Sequence, residues 1–318
     1  MKPVPSPRSA LGALLASAVA LSALGLPGAV VGEPPSGPTP QEPSFRELRV
    51  RPPARVRIEG ARFRMGSDDD AVARALETCL LSPPTQGRCA TELFTDEKPE
   101  HEVYLAPYAI DRLEVSNQAY LRCVSAGACA PSGTGETDPR IGRPEHPVTS
   151  VSWSEAQQYC HWVLGRLPTE AQWERAARGD SVRTFPWGMA WNTRLANHGG
   201  SGDTENDVDG YRFAAPVDAF ADGRSFYGLQ NMAGNAWELV ADRYAAYDVR
   251  ASRVEPEGPA TGAERVIRGG SWRSAPQSLR VTARARLPET ERRPDVGFRC
   301  AYAQPSATRP ASGPAAKP

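Results

Sequence analysis

The spacing of apolar and polar residues predicts short strands and short helices joined by long loops. Strand-like alternation occupies residues 56–63 and 102–110, and in the second stretch Val103, Leu105 and Tyr108 form the predicted buried side. Trp237 and Leu239 predict a strand with one buried face. Shorter or weaker strand patterns occupy residues 147–151, 279–286 and 296–301, and residues 265–272 predict a strand that leads into a glycine turn.

Helix start signals stand at four places. Ser116 precedes a helical pattern that runs to about Ser125, and an acidic run at residues 68–70 precedes one that runs to Leu81. Two capping boxes begin at Ser152 and Thr169, where a hydroxyl and a side chain three residues later each satisfy a free backbone amide. The acidic run could instead bind a cation, but its place at a helix start explains it more simply.

Residues 190–226 carry no helical period and are rich in Gly, Asn and Asp. A loop of this length inside a compact domain is either functional or held by a ligand. The chain also has 31 prolines and 28 glycines, which agrees with a loop-rich fold. Its formal charge is zero and it has no basic block, so we expect no binding to nucleic acid.

The first 32 residues have the features of a signal peptide. Lys2 and Arg8 precede an apolar run over residues 10–26, and small residues follow. The alternative is an uncleaved anchor over residues 10–31, but Pro27 and the small residues favour cleavage, and we expect no stable membrane insertion. We therefore predict an exported protein, periplasmic or secreted, with a proline-rich linker at residues 33–53, one domain at residues 54–303 and a disordered tail at residues 304–318.

Six cysteines in an exported chain indicate disulfides, and six cysteines permit 15 sets of pairs. Cys79 and Cys89 are close enough in sequence to pair, as are Cys123 and Cys129. That arrangement leaves Cys160 to pair with Cys300. No CxxC motif and no zinc-ligand spacing occurs.

The segment at residues 227–240 carries hard oxygen ligands. Asn231 and Glu238 supply an amide and a carboxylate, and Gly234 lets backbone carbonyls turn inward. Calcium prefers such a mixture of oxygens. The simpler interpretation is a polar turn that leads into a strand. Asn197 and Asp209 offer the same ligand types within the long loop.

Four segments together resemble the sulfatase-modifying-factor family, whose founding member is the formylglycine-generating enzyme. They are Arg-Leu-Pro-Thr-Glu-Ala-Gln-Trp-Glu (166–174), Gly-Asn-Ala-Trp-Glu (234–238), Arg-Gly-Gly-Ser-Trp (268–272) and Gly-Phe-Arg-Cys (297–300). The resemblance implies an α+β, loop-rich, C-type lectin-like fold with few short strands and about three helices. It also implies the disulfide between Cys160 and Cys300.

The same resemblance implies two calcium sites. The first would use the side chains of Asn231 and Glu238 and the carbonyls of Gly234 and Ala236. The second would use the following groups: the side chains of Asn197 and Asp209 and the carbonyls of His198 and Tyr211.

The chain departs from the family pattern after the Gly-Gly-Ser turn. There the formylglycine-generating enzyme has two copper-binding cysteines, five residues apart, and the matching positions here are Ser274 and Leu279. Copper(I) requires soft ligands such as thiolates. We therefore expect no copper, no catalytic residue of the family mechanism and no formylglycine-generating activity by that mechanism.

Three functions remain open for a domain of this kind. The first is a binding module for an exported protein, peptide or small ligand, with a groove at Ser271, Trp272 and Arg273 and with monomeric protein as the expected state. Nearby arginines could clamp carboxylates in that groove, or they could form a solvated face; they are Arg268, Arg273, Arg280, Arg284 and Arg286. The second is an oxidoreductase with different chemistry, although the four histidines are widely spaced. The third is a scaffold that binds calcium alone.

Overall fold

Short strands form three separate small sheets in the computed structural model. The structure describes residues 54–81, 89–133, 138–200, 207–248, 250 and 253–304, all within the unit Arg51–Pro318. The predicted signal peptide, the linker and the tail beyond Gln304 lie outside the described residues. Among the described residues, no helix has both the length and the apolar character needed to cross a bilayer.

The nine described strands are between two and seven residues long. In chain order they are β1 (Arg55–Ile58), β2 (Ala61–Met65), β3 (His101–Leu105), β4 (Tyr108–Asp111), β5 (Trp237–Arg243), β6 (Glu264–Arg268), β7 (Arg284–Pro288), β8 (Val296–Gly297) and β9 (Ala301–Ala303). The sheet orders are β1-β4-β9, β2-β3 and β7-β6-β5-β8. Only the β5–β8 pair is parallel among these pairings.

Several predicted strands are shorter than expected. The pattern at 56–63 splits at Gly60, where a Cβ would lie 2.9 Å from the ring of Pro107. Pro107 likewise divides the pattern at 102–110, and β8 and β9 divide the last predicted strand. Residues 147–151 were wrongly predicted as a strand, because they make only a single bridge from Pro147 to Ser116.

Four α-helices occur in the described residues, one more than the number that the resemblance implies. They are α1 (Asp69–Leu80), α2 (Asn117–Ser125), α3 (Trp153–Trp162) and α4 (Glu170–Arg178). Both predicted capping boxes are present, at Ser152 and Thr169. Asp68 caps α1 through its side chain, which confirms the simpler interpretation of that aspartate.

Two large apolar clusters form the core around these elements. One contains α2, α3 and the disulfide between Cys160 and Cys300, and the other surrounds α4 and Trp173. The disulfides Cys79–Cys89 and Cys123–Cys129 are also present, so the predicted pairing is confirmed. β5 lies between the two clusters and is buried on both faces from Trp237 to Val240, so the expectation of one buried face was wrong.

Candidate functional site

The loop before β5 has an unusual backbone. Asn231 and Asn235 have φ angles of 55° and 65°, and Gly234 has a φ of 81°. Asparagine and glycine tolerate this left-handed region better than other residues. A Cβ at Gly234 would lie only 2.0 Å from the carbonyl oxygen of Asn197, so the loop and the segment at Asn197 are in direct contact.

Asn235 joins the two predicted calcium-binding segments. Its backbone amide donates to Asn197 O at 2.9 Å, and its Oδ1 accepts from Asn197 Nδ2 at 3.1 Å and from Ala215 N at 2.8 Å. The side chain is fully buried. Asn235 lies inside the segment at residues 227–240, but its residue type and spacing alone did not predict this joining role.

Glu114 is a buried carboxylate that sequence reasoning missed. It accepts hydrogen bonds from Asn231 Nδ2 at 2.7 Å, Asn235 Nδ2 at 3.0 Å and Ala236 N at 3.3 Å. Burial, together with the nearby charge of Glu238, raises the pKa of Glu114 to about 8, although Arg299 opposes the shift. Glu114 is a lone acidic residue between Leu113 and Val115, so no pattern of residue spacing in the sequence could have identified it.

Glu238 is fully buried and is paired with Arg299. Its Oε1 accepts from Arg299 Nη2 at 2.6 Å, and its Oε2 accepts from Arg299 Nε at 2.7 Å and from the Trp173 indole at 2.8 Å. Oε1 therefore keeps capacity for one more partner. Arg299 thus neutralises Glu238, while the raised pKa of about 8 keeps Glu114 largely protonated at neutral pH, so a bound cation would be needed for both carboxyl groups to ionise.

The second predicted ligand set lies beside the first. The Asp209 carboxylate accepts from the backbone amides of His198 at 2.6 Å and Tyr211 at 2.8 Å. Burial raises the pKa of Asp209 and lowers the pKa of His198. The His198 ring is fixed as a neutral tautomer, because Nδ1 accepts from Gly200 N at 2.8 Å and Nε2 faces Thr193 O at 3.2 Å.

Two buried amide oxygens test whether these residues fit calcium. Asn197 Oδ1 and Asn231 Oδ1 are both buried and have no hydrogen-bond partner among the described residues, while the Nδ2 atom of each is bonded. An unsatisfied buried acceptor is costly unless a partner is present. Each oxygen belongs to one predicted site, and each is accompanied by a carboxylate, so the residues fit a hard cation.

The Gly-Gly-Ser turn has no soft ligand. Ser274 Oγ accepts from Ser271 N at 3.0 Å and lies 3.2 Å from Ser271 Oγ, which also donates to Asp295 at 3.2 Å. Leu279 is fully buried in an apolar cluster with Phe185, Ala196 and Ala233. All six cysteines are in disulfides, and among the described residues no three His, Cys, Asp or Glu side chains are grouped to hold a metal.

The predicted ligand groove is largely closed. Ser271 and Trp272 are buried, and only Arg273 is exposed. A cavity of about 630 Å³ lies beside the same turn instead and is lined by Pro276, His198, Trp191, Met189 and Leu81, among others. Leu81 follows α1, so the helix next to the Cys79–Cys89 disulfide forms part of this cavity wall.

Most of the arginines that were considered as ligand clamps are engaged inside the protein. Arg268 pairs with Glu174, Arg280 with Glu97 at 2.5 Å, and Arg284 with Glu170 at 2.6 Å. The side chains of these three arginines are at most 3% exposed. Neither a ligand clamp nor a solvated face describes them; they are internal counter-ions.

Comparison with known proteins gives the family. Residues 41–304 match the model of the sulfatase-modifying factor enzyme 1-like domain, and the chain belongs to this family. A formylglycine-generating enzyme from Thermomonospora curvata is 35% identical over 304 residues, which cover 77% of this chain and 92% of the relative. A bovine relative named inactive C-alpha-formylglycine-generating enzyme 2 is 36% identical, over 49% of this chain and 50% of the relative.

A solved structure has a similar fold. The structure of PvdO from Pseudomonas aeruginosa matches with a TM-score of 0.63 and 25% identity, over 78% of this chain and 94% of that one. The α+β, loop-rich fold expected from the sequence is therefore confirmed.

Proposed function

We propose that this protein is an exported, calcium-binding member of the family that binds a peptide, protein or small ligand and does not generate formylglycine. The observation that carries the proposal is Leu279, which fills the position of the second copper-binding cysteine and is fully buried among apolar side chains. A leucine cannot bind copper, and Ser274 offers only a hard hydroxyl oxygen. The three disulfides support an oxidising compartment.

The unpartnered oxygens support the calcium part of the proposal. Calcium would supply positive charge to Asn231 Oδ1 and Asn197 Oδ1, for which the described part of the chain offers no hydrogen-bond partner. Asn235 and Gly234 hold the two segments against each other, so ligands of both sites share one rigid unit. Bound calcium would therefore fix the long loop that includes Asn197 and Asp209.

The cavity of about 630 Å³ supports ligand binding next to the Gly-Gly-Ser turn. Its volume lies in the range of about 300–1,000 Å³ that small-molecule sites occupy. Trp191, Met189 and Leu81 give it an apolar wall, and Met189 and Leu81 are 47% and 74% exposed. Exposed apolar side chains that line one cavity favour a ligand with an apolar part.

An activity assay tests the absence of formylglycine formation. The purified protein is incubated with copper(I), dioxygen and a sulfatase-motif peptide, and the peptide is analysed by mass spectrometry. We expect no conversion of cysteine to formylglycine, while the Thermomonospora curvata relative serves as the positive control. Conversion by this protein would contradict the proposal.

A metal inventory tests the calcium sites and the alternative function. We expect two calcium ions per chain and one fewer in Asp209→Ala, because that change removes the carboxylate of the second site, whose hydrogen bonds go to His198 N and Tyr211 N and not to the loop of the first site. The alternative is an oxidoreductase with other chemistry, which the name of the Thermomonospora curvata relative supports. Stoichiometric copper or iron in the purified protein would favour that alternative.

A further inference from the structure

A separate cavity of about 610 Å³ lies where the end of β5 meets the start of α4. Glu170 and Ala171 line it from α4, Asp242 lines it from β5, and residues 245–248 and 253–259 complete its wall. None of the predicted calcium ligands lines this cavity. It is therefore distinct from the site described above.

Asp242 is the unusual residue of this cavity. Its side chain belongs to a residue that is only 4% exposed, and its Oδ2 accepts from Glu170 N at 2.7 Å. Within the part of the chain that the structure describes, no hydrogen bond or ion pair involves Oδ1, and this atom does not belong to the fully buried atoms without a partner, so it is reachable from the cavity. A largely buried carboxylate without a cation is costly, so a partner for Oδ1 would stabilise it.

Three arginines line the cavity, Arg243, Arg253 and Arg284, and each of them already has a partner. Arg284 pairs with Glu170 through two hydrogen bonds of 2.6 and 3.0 Å, and Arg243 pairs with Glu289 at 2.8 Å. Burial alone would raise the pKa of Glu170, but Arg284 and Arg268 outweigh it and hold that pKa below its usual value. Glu170 is therefore a compensated anion, and Asp242 is not.

The other carboxylates of the cavity also have partners. Glu255 accepts from Ala106 N, Asp248 accepts from Arg250 N at 2.9 Å, and Glu257 lies 3.9 Å from Arg166. Met65, Ala171, Pro256 and Pro259 give the cavity apolar surface. The cavity thus combines one uncompensated acid with an apolar wall.

We propose that this cavity binds a small cationic ligand, a protonated amine or guanidinium on an apolar stem, with Asp242 as its counter-ion. The charged head would donate to Oδ1, and the stem would lie on the apolar surface. The volume suits a ligand of this kind, since small-molecule sites occupy about 300–1,000 Å³. The inference does not depend on the proposed function at the Gly-Gly-Ser turn.

Pentylamine and 1-pentanol are matched probes, because they share the stem and differ in the charge of the head group. Titration of the full chain, followed by NMR, should give a saturable site at which pentylamine binds roughly tenfold tighter or better than 1-pentanol. Asp242→Asn should remove that preference, because the amide keeps the acceptor for Glu170 N but loses the charge. Asp222→Asn, an exposed change outside the cavity, should preserve it.

A pH series on the unmodified chain serves if Asp242→Asn does not fold. Burial and the charge of Glu170 raise the pKa of Asp242 to about 7; Glu257 adds to the shift and Arg284 opposes it. Pentylamine affinity should therefore fall roughly tenfold from pH 8 to pH 6, while 1-pentanol affinity stays constant. The profile should persist in His101→Gln, since His101 also lines the cavity.

Three results would overturn the inference. They are equal affinities for pentylamine and 1-pentanol in the unmodified chain, a preference for the amine that survives in folded Asp242→Asn, and an amine affinity that does not change with pH. Retention of the preference in Asp222→Asn together with its loss in Asp242→Asn would support it.

Discussion

Gly234 occupies a position that a side chain would disturb in two ways. Its φ of 81° disfavours any residue with a Cβ, and that Cβ would also lie 2.0 Å from Asn197 O. Gly127 has a similar φ of 71°, but, its chain neighbours apart, no atom of the described residues lies within 4 Å of the position that a Cβ would take. Alanine substitutions at Gly234 and Gly127 can therefore distinguish the cost of backbone strain from the cost of steric contact.

We expect Gly234→Ala to lower the free energy of unfolding by roughly 3 kcal/mol or more, and Gly127→Ala to lower it by about 1–2 kcal/mol from backbone strain alone. Urea denaturation of both variants and the unmodified chain, in the same buffer, measures the difference. Equal losses in the two variants would show that contact with Asn197 contributes nothing.

The raised pKa of Asp242 makes the stability of the folded protein fall as the pH rises. Its carboxyl pKa is about 7 in the folded protein and 3.8 in a free side chain. The unfolded chain therefore releases this proton first as the pH rises, and the folded state loses stability between about pH 4 and pH 7. The Asp242→Asn variant has no carboxyl group at this position, so it does not lose stability in this way as the pH rises.

The stability of Asp242→Asn relative to the unmodified chain should thus improve between pH 4 and pH 8, by on the order of a few kcal/mol. Denaturation curves at several pH values, without added amine, provide the measurement. A difference that stays constant with pH would contradict the raised pKa.

At the scale of elements, α4 is the helix on which the site depends. All nine of its residues are buried, and Trp173 donates to Glu238 while Glu170 and Glu174 pair with arginines of β7 and β6. Helix α1, in contrast, begins with exposed residues. A side-chain cap thus begins both helices, but the cap of α4 is buried and the cap of α1 is exposed.

Removal of the α4 cap by Thr169→Ala should cost about 1–2 kcal/mol, and removal of the α1 cap by Asp68→Ala about 0.5–1 kcal/mol. The reason is that the amides freed at α4 are buried, whereas those at α1 reach water. Thermal unfolding of the two variants compares them, and a larger loss for Asp68→Ala would contradict the central role of α4.

Local signals predicted the helices well, because capping is a property of four consecutive residues. Strand lengths were less predictable, since Gly60 and Pro107 end strands through a contact between two chain segments. Glu114 was missed for a similar reason: its partners are more than one hundred residues away. Asn231 and Asn197 were predicted as oxygen ligands from residue type and family pattern, and that role stays a prediction; that their amide oxygens have no partner among the described residues is visible only in the folded protein.

At the scale of the whole molecule, cross-links between distant segments hold a chain with few regular elements. Buried ion pairs join residues that are 61, 94, 114 and 183 positions apart, namely Glu238–Arg299, Glu174–Arg268, Glu170–Arg284 and Glu97–Arg280. Losing one partner of such a pair leaves a buried charge, which typically costs about 3–5 kcal/mol. The fold therefore depends on long-range pairing more than on the length of its strands.

Two of the disulfides close loops of very different length, so removing each in turn measures how much a long-range cross-link contributes to stability. Cys160 and Cys300 are 140 residues apart, and Cys79 and Cys89 are 10 apart. If a disulfide acts by restricting the unfolded chain, its effect grows with the logarithm of the loop, to roughly 5 kcal/mol for the long loop and roughly 3 kcal/mol for the short one. All four cysteines except Cys89 are almost fully buried, so Cys→Ala replacements avoid adding a buried hydroxyl.

We expect the Cys160→Ala, Cys300→Ala double variant to lose roughly 2 kcal/mol more than the Cys79→Ala, Cys89→Ala double variant. Urea unfolding of both variants under oxidising conditions gives the two losses. Cys79 packs in a separate small cluster, whereas Cys160 and Cys300 lie in a main core cluster. Lost packing should therefore also make the Cys160→Ala, Cys300→Ala variant the less stable of the two. Equal losses would mean that the disulfide across the main core adds little to the ion pairs already there.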